Sequence, residues 1–286
     1  MDTRTVSITP SSELALVKEY PPIPFATIKQ MSDVLESRRS ELEQGLSQSI
    51  YVPFSKVTLA RFTVIDKHRE QTRSKVRFAY FPDIATLIIK IPTSIHEQAH
   101  LSLAMKLVRL TARMGVGESE FVPYGATTMK SENYSQPSQK EGDSTFRNKL
   151  IRQGDNAWPS LVIEAGNTES LPHLRSDAKW WIETSKGEVR IVVLIKVDKL
   201  KKSIAILKYI PRPRPMAYPN TRNAPTMVPV ESATITIDQS VTPSQIQEAP
   251  LTLEFDQVFS RQPNPPNERD FILTAADLDE WAALLW

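Results

Sequence analysis

The chain has no cysteine in its 286 residues. Disulfide staples, thiol nucleophiles and cysteine-based zinc sites are therefore excluded. Glycine is scarce, 8 residues against 22 prolines. That balance points to stiff connecting loops rather than flexible linkers. No apolar run reaches the ~18–20 residues that a membrane helix requires. The opening MDTRTVSITPSSELALVKEY lacks an apolar stretch of signal-peptide type, so an intracellular, cytoplasmic or nuclear protein with no membrane partner is expected. Charge of one sign is missing too. The net formal charge is +2, which gives no global field for nucleic acid or membrane. What remains is ordinary for a globular chain, with 40% apolar and 24% charged residues.

The organising stretch is residues 140–198. Leu161 to Ile163 reads as a buried strand that ends on Glu164. Asp143 precedes a shorter strand-like segment around 143–147. An acid at the end of a buried strand must be paired, protonated or bound to a cation. Two such acids on neighbouring strands form a candidate metal site. Simpler roles also exist: Asp143 as a turn residue, and Glu164 as a partner of Arg175 or Arg190.

Upstream, residues 1–25 read as an arm and residues 26–47 as a helix. Val57–Ile65, Lys75–Phe81 and Ala85–Ile91 read as three strands of a meander, being rich in β-branched and aromatic residues. A helix is predicted over 94–114. Ser94 with Glu97 suggests a capping box, Gly115 a stop, and Ala99, Leu103, Leu107, Leu110 and Met114 an apolar stripe. Phe121–Thr128 reads as a strand and Lys130–Gln139 as a polar loop. After the organising stretch come a strand at Ser203–Ile210, a proline-rich loop at 211–229, strands at Ala233–Ile237 and Leu251–Phe259, and a helix near 275–285.

His96-Glu97-Gln98-Ala99-His100 matches H-E-x-x-H. In that motif two histidines one turn apart bind zinc and the glutamate serves as general base. Glu118 or Glu120 is the available third ligand on this reading. A helix cap at Glu97 and a core-edge histidine at His100 would give the same letters. Trp180-Trp181 reads as helix packing. The basic segments Lys199-Leu200-Lys201-Lys202 and Arg212-Pro213-Arg214 read as loop ends that are solvated or contact phosphates.

The order of elements from residue 94 to 197 resembles the core of the PD-(D/E)XK, restriction-endonuclease-like superfamily. It is more similar still to a fungal uncharacterised family within it. The residues that carry the likeness are Ile91-Pro92 with His96-Glu97, Lys140-Glu141-Gly142-Asp143 with Phe146, and Trp158 to Gly166. Thr168-Glu169-Ser170 and Asp177-Ala178-Lys179-Trp180-Trp181 follow, then a Phe255–Arg261 strand and a Leu278–Trp286 helix. The resemblance implies an α/β fold with an α-β-β-β-α-β core, a mixed central sheet, an N-terminal helix and strand extension, and C-terminal strands plus a helix. It divides the chain into an arm and helix (1–50) and a nuclease-like domain (51–286).

The resemblance further implies a Mg2+-dependent nuclease acting on DNA or RNA. Asp143 and Glu164 would be metal ligands, Glu97 an outer ligand, and Lys179 would replace the lysine that the family places where Gly166 stands. Gly142 and Asn148 also depart from the family pattern, which tends to proline there. The alternatives are a Zn2+ peptidase through His96, Glu97 and His100, and a non-catalytic partner-binding protein on the same fold.

Overall fold

The computed structural model describes residues 21–47, 49–125, 127–131, 137–167, 171–215 and 226–286. Most of the expected N-terminal arm, the turn at 168–170, residues 132–136 of the polar loop and residues 216–225 of the proline-rich loop lie outside the described residues. Among the described residues the chain is a mixed α/β protein with six α-helices. None of these helices is long and apolar enough to cross a membrane.

The N-terminal half builds one sheet. Short β1 (Ile23–Pro24) leads into helix α1 (Ile28–Glu43), whose start is capped by Thr27. Strand β2 (Tyr51–Ser55), helix α2 (Leu59–Thr72), and the hairpin β3 (Arg77–Phe81) and β4 (Thr86–Lys90) follow. The region expected as a strand at Val57–Ile65 is thus mostly helix. Its β-branched residues suggested a strand, but Thr58 accepts a hydrogen bond from the Arg61 N–H and starts a helix. Phe62 and Ile65, three residues apart, are then buried on one side. Tertiary packing overrides β propensity here.

Helix α3 (Ser94–Arg113) agrees with the expected span, and Gly115 follows it at φ +75°. The expected capping box does not form. Thr93 is the N-cap residue, makes no side-chain bond, and leaves Glu97 for another role. The single strand expected over Phe121–Thr128 is replaced by two short ones, β5 (Val122–Pro123) and β6 (Thr128–Lys130). Next come β7 (Gln139–Glu141), β8 (Ser144–Arg147), β9 (Leu161–Asn167), α4 (Leu171–Thr184), β10 (Ile191–Asp198), β11 (Ser203–Pro213), β12 (Met227–Asp238) and β13 (Gln245–Gln247). The expected strand Leu251–Phe259, including the family-like strand from Phe255, is also corrected. It splits into β14 (Leu251–Leu253) and helix α5 (Phe255–Phe259). Phe255, Val258 and Phe259 have helical spacing, and all three are buried. Strand β15 (Phe271–Leu273) pairs with β14, and α6 (Ala275–Ala282) closes the fold under a true capping box of Thr274 and Asp277.

Two large sheets result. The first has the order β1-β2-β4-β3-β7-β6 and the second β13-β12-β11-β10-β9-β8-β5. Both are mixed: β1–β2 and β9–β10 are parallel, the rest antiparallel. Side chains alternate across β9 and β10, as a strand's two-residue period requires. Leu161, Ile163, Val193 and Ile195 join Ala99, Leu103 and Leu107 of α3 on one face. Val162, Val192 and Leu194 join Leu174, Ala178 and Trp181 of α4 on the other. Tyr51, Ala79 and Ile88 of the first sheet belong to that second cluster, so α4 lies between the two sheets. The far face of the first sheet packs with α1 and α2 through Met31, Phe62 and Ile65. Trp158, Trp180 and Trp181 fill the space around α4 with edge-on contacts at 5.0–6.1 Å.

The chain crosses from one sheet to the other within a few residues. Strand β7 ends in the first sheet at Glu141, and β8 begins in the second at Ser144. Asp143 sits at that crossing.

Candidate metal centre at the junction of the sheets

Strands β8 and β9 are antiparallel with Ser144 opposite Ile163, so one step further along the register Asp143 faces Glu164. Both side chains are buried, Asp143 at 0% and Glu164 at 1% exposure. Burial of two carboxylates is costly unless cations and donors replace the lost water. They do. Lys90, at the end of β4, donates from Nζ to Asp143 Oδ2 at 2.6 Å and lies 3.5 Å from Glu164 Oε2. The same Asp143 oxygen accepts from the Ala165 N–H at 2.8 Å and lies 2.9 Å from His96 Nε2. Glu164 Oε1 accepts from Trp181 Nε1 at 2.7 Å and has Lys140 Nζ at 3.6 Å. Lys140 also pairs with Asp177 of α4 at 2.8 Å.

The start of α3 lies over these acids. His96 and His100, one turn apart, have ring centroids 5.1 Å apart. His100 Nδ1 lies 2.8 Å from Ser144 Oγ. Glu97 Oε1 lies 3.3 Å from His96 Nδ1 and 3.4 Å from His100 Nε2, and accepts from Arg77 at 3.0 Å. Arg77 Nε stands 3.3 Å from Asp143 Oδ1. Lys90, Lys140 and Arg77 thus face Asp143, Glu164, Asp177 and Glu97, three positive groups against four carboxyls.

The imbalance divides the acids. Burial alone would raise Asp143, but His96 and Lys90 outweigh it and hold its carboxyl well below the ordinary range. Burial would also raise Glu97, and His100, His96 and Arg77 together bring it down. For Glu164 and Asp177 burial wins. Both are raised despite Lys140 and Lys90, with Asp143 adding repulsion. Lys140 is held protonated, because Asp177 and Glu164 overcome the effect of its own burial.

Of the residues singled out from sequence, Asp143, Glu164 and Glu97 come to one place, and so do His96 and His100. Lys179 is buried on α4 and donates to Glu183 Oε1 at 2.6 Å. The lysines in contact with the two strand acids are Lys90 and Lys140. Neither Arg175 nor Arg190 supplies a contact to Glu164; Arg175 binds Tyr209 and Glu231. Glu120 is taken by Arg261 at 2.5 Å, and the acid that joins the two histidines is Asp143. His96, His100 and Asp143 bring one ligand atom each to within 4.8 Å of one another, all buried, and could hold a metal ion. Sequence reasoning missed Lys90, Lys140 and Arg77. A signal for Lys90 existed: a lysine ending the apolar run Leu87-Ile88-Ile89 meets the same desolvation penalty as Glu164.

A groove of about 1020 Å³ leads to this cluster between α1, the end of α2 and the start of α3. Arg39, Arg73, Lys75, Arg77 and Glu97 are on its wall, with Pro92, Thr93 and Ser94 at the mouth of α3. Arg73 and Lys75 are exposed. The first N–H groups of α3 have no side-chain cap there, an arrangement that favours anions. No protein-family model matches the chain, and no curated protein matches it either.

Proposed function

We propose that the protein is a metal-dependent hydrolase of phosphodiester bonds in DNA or RNA, with a PD-(D/E)XK-like core at residues 94–198. The observation that carries this reading is Asp143 facing Glu164 across adjacent strands, with His96 and Glu97 of α3 closing over Asp143. The order α3, β5, β8, β9, α4, β10 supports it, since it follows the helix–three strands–helix–strand order of that core, in a mixed sheet with helices on both faces. The groove supports the substrate class. Arg73, Lys75 and the mouth of α3 suit a phosphate backbone.

The resemblance implies Mg2+ between Asp143 and Glu164. The donor set does not fit an ion there. Asp143 Oδ2 already has Lys90, His96 and the Ala165 N–H, and Lys90 Nζ stands where a bridging cation would go. The group that could hold an ion is instead His96, His100 and Asp143. An ion held there would polarise a phosphate and lower the pKa of a bound water. Glu97, 34% exposed and kept ionised, faces the groove beside the two histidines and would accept a hydrogen bond from that water and orient it. Arg77 fixes Glu97 and adds positive charge for the phosphate.

Incubation of single- and double-stranded DNA and RNA with Mg2+, Mn2+, Zn2+ or chelator tests the reading. Cleavage that the chelator abolishes is expected. No cleavage with any ion would leave a non-catalytic protein on this fold. A zinc peptidase is a second reading. The spacing of His96 and His100 around Glu97 favours it, and hydrolysis of a peptide substrate in the same ion series would select it.

A further inference from the structure

Among the described residues the centre is nearly closed to solvent. The side chains of Asp143, Glu164, His96 and His100 are at most 2% exposed, and those of Lys90 and Lys140 at most 7%. Glu97, at 34%, and Arg77, at 13%, are the members that also stand on the wall of the 1020 Å³ groove. The way in among these residues is therefore the groove, past Glu97 and Arg77. Three walls bound it. Ser32, Leu35, Glu36 and Arg39 recur at helical spacing as one face of α1, and the end of α2 and the start of α3 make the other two. A space of 1020 Å³ corresponds to a cube about 10 Å on edge, less than the ~12 Å width of the major groove alone in a duplex. It lies near the upper end of the ~300–1,000 Å³ that drug-sized ligands fill, which gives room for about two or three nucleotides. Its described lining has no Phe, Tyr or Trp, so it offers no platform for stacked bases. Glu36, Glu141 and Glu97 are paired with Arg39, Arg69 and Arg77 of the same walls. Arg73 and Lys75 remain, with Glu70 as the remaining acid.

We infer that the groove takes a single nucleic-acid strand, held by its phosphate backbone on Arg73 and Lys75 with one phosphate turned in toward Arg77 and Glu97, and that an intact duplex does not reach the centre. The inference rests on the phosphodiester reading above and narrows its substrate. In a duplex each phosphate belongs to a rod wider than the groove, and the face of α1 opposes its approach. A strand without a partner can bend, enter between the three walls and present one phosphate to Arg77. Contacts of Arg73, Lys75 and Arg77 with phosphates position the strand and carry no sequence information. Base composition should therefore matter little.

The test is fluorescence anisotropy of the full-length protein, in chelator so that no strand is cut. The probes are labelled single strands of thymidine or uridine, about 20 nucleotides long, and a blunt duplex of the same length. Single strands should bind at least ~10-fold more tightly than the duplex, and Arg73→Glu with Lys75→Glu should weaken them by at least ~10-fold. Ser94→Trp, at an exposed position on the groove wall, should weaken them too by filling the space, with the thermal midpoint unchanged. Lys199→Glu with Lys201→Glu, on the turn between β10 and β11, should leave binding as it was. Equal or tighter binding of the duplex, single-strand binding that survives both groove variants, or no binding of either strand overturns the inference. Single strands held in the groove but cut with no ion would overturn the proposed reaction and leave the inference standing. Cleavage of an intact duplex as fast as a single strand would do the reverse.

Discussion

Lys90 gives the sharpest test of the electrostatics. Replacing it by Met keeps the side-chain length and removes the one charge that touches both Asp143 and Glu164. Both carboxylates are essentially fully buried, so water cannot replace the ammonium. Breaking a buried pair from one side typically costs about 3–5 kcal/mol. That is a large share of the ~5–15 kcal/mol that holds a protein folded. At about 2–4 °C per kcal/mol for a chain of this size class, the thermal midpoint should fall by roughly 6–20 °C.

The loss should depend on pH in a defined sense. Burial holds Glu164 above its ordinary 4.5, so the folded state binds that proton more tightly than the unfolded state does. Removing Lys90 strengthens the effect. A carboxyl raised in the folded state is least harmful below its unfolded value and destabilises increasingly as pH rises through its folded value. Urea unfolding of Lys90→Met at about pH 5 and about pH 8 should show the larger deficit at the higher pH. Adding Glu164→Gln should recover part of it, because the neutral amide needs no counter-ion. A deficit below about 1 kcal/mol at both pH values, the level of an exposed pair, would refute this account of the cluster.

Other perturbations probe neighbouring contacts. Asp143→Asn should abolish any metal-dependent cleavage in the nuclease assay, whereas Glu164→Gln, outside the group that could hold the ion, should retain it. In urea unfolding Asp143→Asn should be clearly the less stable of the two, because it leaves Lys90 without its closest partner, while Glu164 is already pushed toward neutrality. Trp181→Phe removes the indole donor to Glu164 and should cost about 1–3 kcal/mol by the same measurement. Gly142→Ala should also cost ~1–3 kcal/mol, since a Cβ there would meet Thr145 Cγ2 at 2.7 Å and Trp181 Cζ2 at 3.1 Å; an unchanged midpoint would show that these neighbours yield freely. If the groove binds a nucleic-acid backbone, Arg73→Ala with Lys75→Ala should weaken binding at every sequence alike and lower the salt slope by about 1 per lost contact in a fluorescence titration.

The elements around the site were legible because their signals were local. The apolar stripe of α3, the run ending at Glu164, and the aromatic helix α4 each carry a clear period, and their spans fall within a few residues of expectation. Errors arose where local preference and packing disagree. Val57–Ile65 has strand-forming residues, yet Thr58 caps it and the first sheet buries Phe62 and Ile65 as one helical face. Gln139 looked like the end of a polar loop and instead opens β7, the strand between β3 and β6 from which Lys140 reaches Asp177. The acids of the site could be named because an acid in an apolar run is conspicuous. Their counter-ions could not be assigned, because Lys90 and Lys140 arrive from another sheet and no sequence spacing encodes that contact. The sequence alone suggests repulsion between Asp143 and Glu164. The fold offsets that repulsion by placing Lys90 between them and Lys140 beside Glu164.

The two oxygens of Asp143 have separate tasks, and this separation links the fold to the chemistry. Oδ2 binds Lys90 from the first sheet, the Ala165 N–H from the second and His96 from α3, so it joins the layers that meet at the chain crossing. Oδ1 makes no hydrogen bond and has Arg77 Nε at 3.3 Å. A substitution at Asp143 therefore removes a structural joint and a ligand together, and its effect on activity cannot separate them. The histidines allow the separation. His100 reaches the cluster only through its ring, with Ser144 behind it and Glu97 in front. Varying His100 or Ser144 changes the ligand set while Lys90, Asp143 and Glu164 keep their contacts, so metal affinity can change without dismantling the junction of the sheets.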